Sequence, residues 1–281
     1  MKIAITGATG FIGRHVRSVL VKTDHVVVLV VRNVKKVGDR AANEEIVVAD
    51  LSQARTDWFE LFGKPDAVLH LAWGGLPNYM DSYHVDVELP MQLKFVQSLI
   101  DSGLKKLVVA GTCYEYGLSS GAISESQMTN PNTPYGVAKD SLRKALFEIR
   151  SKKDFELTWA RVFYPYGEGQ SENSIYSQLT KAISGDEKEF AMGSGVQMLD
   201  FIKVTRVAKV LRTFVTETKG VGLINVGSGE PQSVIEFVKK LINHFESNIV
   251  PRVGAVADRD YESLSFWSDN DLLDSLALSF N

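Results

Sequence analysis

The chain is expected to fold as an α/β structure with a doubly wound parallel sheet and a smaller, discontinuous C-terminal lobe. Three observations lead there. Strand-like and helix-like segments alternate through the first two-thirds of the 281 residues. The strand-like segments are nearly continuous in apolar residues, as strands covered on both faces are. A glycine-spaced turn, Gly7-Ala8-Thr9-Gly10-Phe11-Ile12-Gly13, joins the first strand to the first helix.

In chain order, the strands are expected over residues 2–6, 25–31, 45–49, 67–71, 106–110 and 157–162. Between them, residues 10–22, 58–62, 87–102 and 135–151 read as helices, the last with Val137, Ala138, Leu142, Ala145, Leu146 and Ile149 at helical spacing. After Tyr164 the rhythm loosens, and Gly167, Gly169, Gly185, Gly193 and Gly195 punctuate shorter elements. Residues 200–217 and 222–226 read as a helix and strand returning to the sheet, and 233–245 as an amphipathic helix outside it. The expected division is therefore residues 1–165 with 200–226, and residues 166–199 with 227–281.

Composition narrows the function classes. Apolar residues are 44% and charged residues 23%, ordinary globular usage that excludes disordered, collagen-like and coiled-coil chains. A formal net charge of -3 argues against nucleic acid or an anionic membrane surface as partner and leaves small molecules or proteins. The one cysteine, Cys113, has no intrachain partner, and no Cys/His cluster has zinc-site spacing, so a reducing cytoplasm and no metal are expected. The N-terminus reads as a strand running into glycine, and the longest strongly apolar run, residues 26–31, is far short of the about 20 a membrane helix needs.

A glycine turn opening a helix lets backbone N–H groups approach a pyrophosphate and aims the positive helix end at it, so Gly7, Thr9, Gly10, Phe11, Ile12 and Gly13 are candidate dinucleotide ligands. An acidic residue at the end of the second strand would bind the ribose 2′-hydroxyl of NAD. Arg32 stands there instead, with Lys35 and Lys36 nearby, which favours the 2′-phosphate of NADP, although an arginine capping a strand in solvent would look the same. Asp50 and Leu51, after the third strand, are placed to meet the adenine, and a surface turn explains them equally well.

At the other end of the cleft, Tyr135 and Lys139 lie four apart at the start of a helix and therefore share a face. Bringing a phenol from about 10 to ~7 takes about 4 kcal/mol of phenolate stabilisation, which a neighbouring ammonium can supply in part. Lys139 is also placed to bond the nicotinamide ribose. Thr112 closes the strand Leu107-Val108-Val109-Ala110-Gly111-Thr112, where open parallel sheets hold ligands, and its hydroxyl suits a carbonyl oxygen while Tyr135 exchanges the proton.

These residues, with His70-Leu71-Ala72, Tyr116-Gly117, Asp200-Phe201-Ile202, Asn225-Val226-Gly227-Ser228-Gly229 and Phe266-Trp267-Ser268-Asp269, resemble the nucleotide-sugar branch of the extended short-chain dehydrogenase/reductase family over nearly the whole chain. The resemblance implies a Rossmann domain with Leu71 and Ala72 beside the dinucleotide, and a lobe clamping a nucleoside diphosphate sugar. Family 4,6-dehydratases carry Asp-Glu directly after the catalytic threonine; here Cys113 and Tyr114 stand there, and Glu115 is one place later, which reads as a structural or solvated carboxylate. The segments 72–79, 111–117 and 163–170 resemble 4-ketoreductases of deoxysugar and surface-polysaccharide synthesis. In them Trp73 and Tyr79 would cover the sugar ring and its 6-deoxy methyl, unless they are packing residues; Cys113 and Tyr114 would line the same site. Tyr164 replaces the asparagine by which epimerases and dehydratases grip the sugar nucleotide, and Leu199 replaces the usual arginine before Asp200. Arg259 matches a position from which relatives reach the pyrophosphate, with a surface ion pair to the flanking Asp260 or Glu262 as the competing account.

The expected activity is thus NADPH-dependent reduction of the C4 ketone of a nucleotide-linked 4-keto-6-deoxyhexose, with Thr112, Tyr135 and Lys139 catalytic. A 4-epimerase that keeps NAD bound is the rival, and a dinucleotide-sensing binding protein the non-enzymatic alternative. Relatives pair the helices at 87–102 and 135–151 across a homodimer, and the same is expected here, burial within one chain being the competing account.

Overall fold

The computed structural model describes residues 1–276. The strands are β1 (Lys2–Thr6), β2 (Val26–Val31), β3 (Glu44–Val48), β4 (Ala67–His70), β5 (Lys106–Thr112), β6 (Ser120–Ile123), β7 (Glu156–Val162), β8 (Pro165–Tyr166), β9 (Glu189–Ala191), β10 (Met198–Leu199), β11 (Ile202–Lys203), β12 (Gly222–Val226), β13 (Gln232–Ser233), β14 (Val250–Arg252) and β15 (Ser265–Ser268). The α-helices are α1 (Phe11–Leu20), α2 (Trp58–Leu61), α3 (Leu89–Asp101), α4 (Pro134–Lys152), α5 (Ile175–Ser184), α6 (Val204–Thr216), α7 (Val234–His244) and α8 (Asp271–Ser275).

Seven strands form one sheet in the order β12-β7-β5-β4-β1-β2-β3. Every pairing in it is parallel. Both faces are covered, and the pleat sorts the side chains: Ile3 and Ile5 of β1 face a core with Val16 and Leu20 of α1 and Val207, Leu211 and Phe214 of α6. Ala4, from the same strand, faces the opposite core with Phe95 and Leu99 of α3 and Leu142 and Leu146 of α4. The strand order reverses between β1 and β4, so the crevice at their carboxyl ends is the topological switch point where such sheets take ligands.

Most boundaries shift by a residue or two from the expectation, and three differences bear on the site. β5 runs two residues past Ala110, because Gly111 and Thr112 stay in register with Arg161 and Val162 of β7. The helix expected over 87–102 is preceded by a π-helical turn, His84–Glu88, which passes directly into α3. Residues 200–217 begin with β11, paired to β8, before α6 starts at Val204.

A four-stranded sheet, β13-β10-β15-β6, carries the third core, in which Phe163, Phe190, Phe201, Phe237 and Phe266 are buried. Its strand β6 comes from residues 120–123, between β5 and α4 in the chain. The Asp200 carboxylate ties the pieces together by accepting from the backbone N–H groups of Ser228, Gly229 and Ser268. Among the described residues, no helix is long and apolar enough to cross a membrane.

The glycine turn brings two stretches of backbone into close approach. A Cβ on Gly13 would sit 2.1 Å from the Gly7 carbonyl oxygen and 2.9 Å from the Ala8 Cα, both backbone atoms that no rotamer change can move. Gly13→Ala is expected to cost about 3 kcal/mol in urea denaturation and to abolish dinucleotide binding in a fluorescence titration.

Candidate active site

Gly7 adopts a positive φ of 71°, and a Cβ there would lie 2.8 Å from the Ala72 nitrogen and 2.9 Å from the Leu71 carbonyl carbon. The turn therefore packs against the end of β4, which brings Leu71 and Ala72 beside it. Gly10 donates to the Gly7 carbonyl at 2.9 Å, and α1 begins with no side-chain cap and no acidic residue in its first turn. Its leading N–H groups, among Phe11, Ile12 and Gly13, are thus available to an anion. This turn, whose close backbone packing admits no side chain at Gly7 or Gly13 and whose helix N–H groups are uncapped, fits a dinucleotide pyrophosphate.

Arg32 follows β2, is exposed, and holds no ion pair among the described residues. Asp50 accepts from the Ser52 N–H at 3.0 Å, and the bonds from Ser52, with a smaller contribution from Arg32, hold its carboxyl below the usual range. Asp50 is therefore engaged in a local turn, while Leu51 packs against the core under β2.

Thr112, buried at the end of β5, caps the short 3-10 turn Cys113–Tyr116 and accepts from the Tyr114 N–H at 3.3 Å. Glu115 answers from inside that turn. Fully buried, it accepts from the Thr112 N–H at 3.0 Å, the Trp159 indole at 2.9 Å and the Arg161 Nε at 2.7 Å, with Arg143 at 3.5 Å. Gly111 makes this possible, since a Cβ there would fall 2.1 Å from the Trp159 nitrogen. Glu115 is thus a structural carboxylate.

Thr133 caps α4 and Pro134 occupies its first turn, which delivers Tyr135 into the cleft with its N–H on the Tyr79 carbonyl at 3.2 Å. Its ring meets His84 at 5.3 Å, Tyr79 at 5.4 Å, Trp73 at 6.0 Å and Tyr114 at 6.1 Å between centroids. Burial in this aromatic shell raises the Tyr135 phenol above its ordinary range, although a hydrogen bond with Thr112 works the other way. This direction is opposite to the expected acidification, and geometry explains it. One turn on, the Lys139 ammonium donates to the Ala110 carbonyl at 2.8 Å and sits 4.0 Å from the Trp73 ring centroid. Burial lowers Lys139 to about 8, with Glu115 and Glu88 opposing.

The remaining candidates form an aromatic wall. Tyr79 and Tyr114 stack at 4.9 Å and 13°, and Tyr164 lies 6.3 Å from Tyr114. Cys113 is buried, and burial pushes its thiol up. Burial likewise pushes Tyr79 up to about 12. Arg259 reaches this wall but is held in an ion pair with Glu262 at 3.0 Å, and Glu262 also accepts from the Tyr114 hydroxyl at 3.1 Å. Leu199 is buried in the lobe core, where it leaves no cation beside Asp200.

Two buried residues of the π turn escaped the sequence reading. His84 Nδ1 accepts from the Trp73 indole at 3.1 Å, and Glu88 accepts from the Gly74 N–H and the Gln92 amide, each at 2.7 Å. A polar residue inside a helix-like run carries no local sign of such a partner. Glu262, by contrast, was foreshadowed by its spacing of three from Arg259.

A family model, NAD dependent epimerase/dehydratase family, matches residues 3–227. The dTDP-6-deoxy-L-talose 4-dehydrogenase (NAD(+)) of Aggregatibacter actinomycetemcomitans is 30% identical over 95% of this chain and 99% of its own. The UDP-glucuronate 4-epimerase of Thermodesulfobacterium geofontis is 27% identical over 85% of this chain and 80% of its own. Among solved structures, the UDP-N-acetylglucosamine 4-epimerase from Methanobrevibacter ruminantium, in complex with UDP-N-acetylmuramic acid, shares the fold at a TM-score of 0.87, with 23% identity over 99% of this chain and 92% of that one. The UDP-glucuronic acid 4-epimerase from Bacillus cereus, in complex with NAD, has a TM-score of 0.80 with 22% identity over 96% and 90%.

Because Glu115 neutralises a buried arginine, Glu115→Ala is expected to lower stability by roughly 3–5 kcal/mol in urea denaturation, whereas Glu115→Gln, which keeps the shape and the bond to Thr112, loses less. An alanine variant as stable as the wild type would show that the carboxylate does not hold the end of β5.

Proposed function

We propose that this chain, which belongs to the NAD dependent epimerase/dehydratase family, transfers hydride at C4 of a nucleotide-linked 6-deoxyhexose, acting as a 4-ketoreductase. The observation that carries the reading is the meeting of Thr112 and Tyr135 beside Lys139 at the carboxyl edge of the sheet, with no free carboxylate at the two positions after Thr112. A dehydratase needs an acid and a base there; Cys113 is a buried, protonated thiol, and Glu115 is committed to Arg161 and Trp159. The Aggregatibacter relative, named as a 4-dehydrogenase of a 6-deoxyhexose nucleotide, supports the same chemistry run in reverse.

The chain's own groups have distinct tasks. Tyr135, whose burial keeps it protonated at neutral pH, donates its proton to the C4 oxygen while Thr112 hydrogen-bonds that oxygen. Lys139 supplies the positive charge that steadies the phenolate left behind. Trp73, Tyr79, Tyr114, Cys113 and Tyr164 form a neutral wall suited to a sugar ring with an apolar C6. Arg259 meets the pyrophosphate after exchanging Glu262 for it. The bound nicotinamide supplies the hydride equivalent.

The cofactor preference is revised. Arg32, exposed and unpaired among the described residues, supports a 2′-phosphate, while the relative's name and the NAD-bound solved structures weigh against a strict NADP preference. The reading is an enzyme that uses NAD(H), with Arg32 admitting the phosphorylated form as well. Arg32→Ala is expected to lower kcat/KM for NADPH by about tenfold and leave NADH within twofold, in proportion to one charge-assisted contact. An equal effect on both would remove Arg32 from the ribose site.

A 4-epimerase built on the same three groups fits the named relatives as well. The complete Thr112, Tyr135 and Lys139 set weighs against a binding protein without catalysis. Exposed Val87 and Val137, next to α3 and on α4, support pairing of two copies there. The deciding experiment is NADH and NADPH oxidation with dTDP-, CDP-, GDP- and UDP-linked 4-keto-6-deoxyhexoses. Turnover is expected with at least one, and Tyr135→Phe is expected to cut kcat by about 10²-fold or more with dinucleotide affinity unchanged. Silence across the panel, with epimer interconversion needing no added reductant, assigns the epimerase instead.

A further inference from the structure

We propose that His84 is a positioning residue of this site, fixing through one hydrogen bond the indole on which Lys139 rests and against which Tyr135 packs. His84 is fully buried at the start of the π-helical turn. An indole nitrogen can only donate, so the 3.1 Å contact with Trp73 makes His84 Nδ1 the acceptor. Nε2 then carries the proton and donates to the Asn78 carbonyl at 2.9 Å. The imidazole is thereby held as one neutral tautomer between two loop residues.

Three further contacts give that bond its reach. The imidazole lies edge-on to Tyr135 at 5.3 Å, Trp73 lies edge-on to the same ring at 6.0 Å, and the Lys139 ammonium is 4.0 Å from the Trp73 centroid. The loop is closed onto His84 by Gly75, where φ is 80° and a Cβ would lie 2.9 Å from the imidazole Cε1. One turn later Glu88 holds the next backbone group, the Gly74 N–H, at 2.7 Å. The π turn thus clamps two successive loop residues, and π insertions are frequent where side chains must be aimed at a site. A leucine or phenylalanine would fill this buried space; the imidazole adds an acceptor aimed at the indole.

The test has one arm independent of the reaction and one that rests on the reading above. The chain has four tryptophans, hence four indole N–H signals in a ¹⁵N spectrum, and Trp73→Phe identifies its own by deletion. In the full-length protein, His84→Phe is expected to speed solvent exchange of the Trp73 indole proton at least tenfold and leave the other three unchanged. His84→Asn, whose Oδ1 can take the place of Nδ1, is expected to restore slow exchange. An indole proton indifferent to His84→Phe overturns the proposal whatever the enzyme catalyses. With a substrate the wild type turns over, His84→Phe is expected to lower kcat about tenfold with KM and dinucleotide affinity within twofold, and His84→Asn to recover most of the loss. Combined with Trp73→Phe, it is expected to add nothing further. A loss confined to dinucleotide affinity, or fully additive losses, reduces His84 to a packing residue and overturns the proposal. If His84→Phe does not fold, His84→Leu, which also lacks an acceptor, carries the exchange arm, and Trp73→Phe alone must then reproduce the fall in kcat. A panel on which the wild type is silent rejects the reaction and leaves the exchange arm to decide the anchor.

Discussion

One buried carboxylate holds the carboxyl edge of the sheet together. Glu115 accepts from the Thr112 backbone, the Trp159 indole and the Arg161 guanidinium, and so ties the end of β5 to β7. Burying an unpaired charge costs several kcal/mol, so the carboxylate and Arg161 hold each other in place. The Thr112 N–H is part of that arrangement, which fixes where its hydroxyl stands. The same negative charge acts on Lys139 against the desolvation that lowers it. Structure and chemistry therefore share one group: the carboxylate nearest to a dehydratase's acid is withdrawn from chemistry because the fold uses it.

The aromatic enclosure favours the protonated form of Tyr135. Desolvation, the largest influence on Tyr135, favours the neutral phenol, and Lys139 in this chain faces the Ala110 carbonyl and the Trp73 ring. A phenol that keeps its proton is prepared to donate, as reduction of a ketone requires. A phenol prepared to accept, as oxidation of an alcohol requires, needs the ammonium brought to bear on it, and the nicotinamide's own positive charge in the oxidised coenzyme would add to that. On the proposed function the same three side chains would serve both directions, which is why reductase and epimerase readings share a site.

The residues proposed to grip the substrate depart from the resemblance in a consistent way. Leu199 gives up a cation beside Asp200, whose carboxylate instead takes backbone N–H groups from Ser228, Gly229 and Ser268. Arg259 is paired with Glu262, and Glu262 holds the Tyr114 hydroxyl. A guanidinium already paired contributes to anion binding only the difference between two partners, one a carboxylate and the other a doubly charged pyrophosphate. Glu262 thus links the aromatic wall to the arginine proposed to meet the phosphate.

The sequence by itself determined the architecture and the ends of the cleft. Continuous apolar runs require strands covered on both faces, and Gly7 and Gly13 are glycines because backbone lies within 3 Å of where their Cβ atoms would be. The Tyr135 to Lys139 spacing is likewise local, since one helical turn puts both on a face. The tertiary structure alone decided what those groups touch. Whether Glu115 is free or paired depends on β7, 41 or more residues away in the chain. Arg259 has two carboxylates beside it in the chain, Asp260 and Glu262, and the fold pairs it with Glu262. His84 gave no sign at all, because its meaning lies in a tryptophan on another element. Periodicity and close backbone approach are properties of neighbours in sequence; desolvation and hydrogen-bond pairing are properties of neighbours in space.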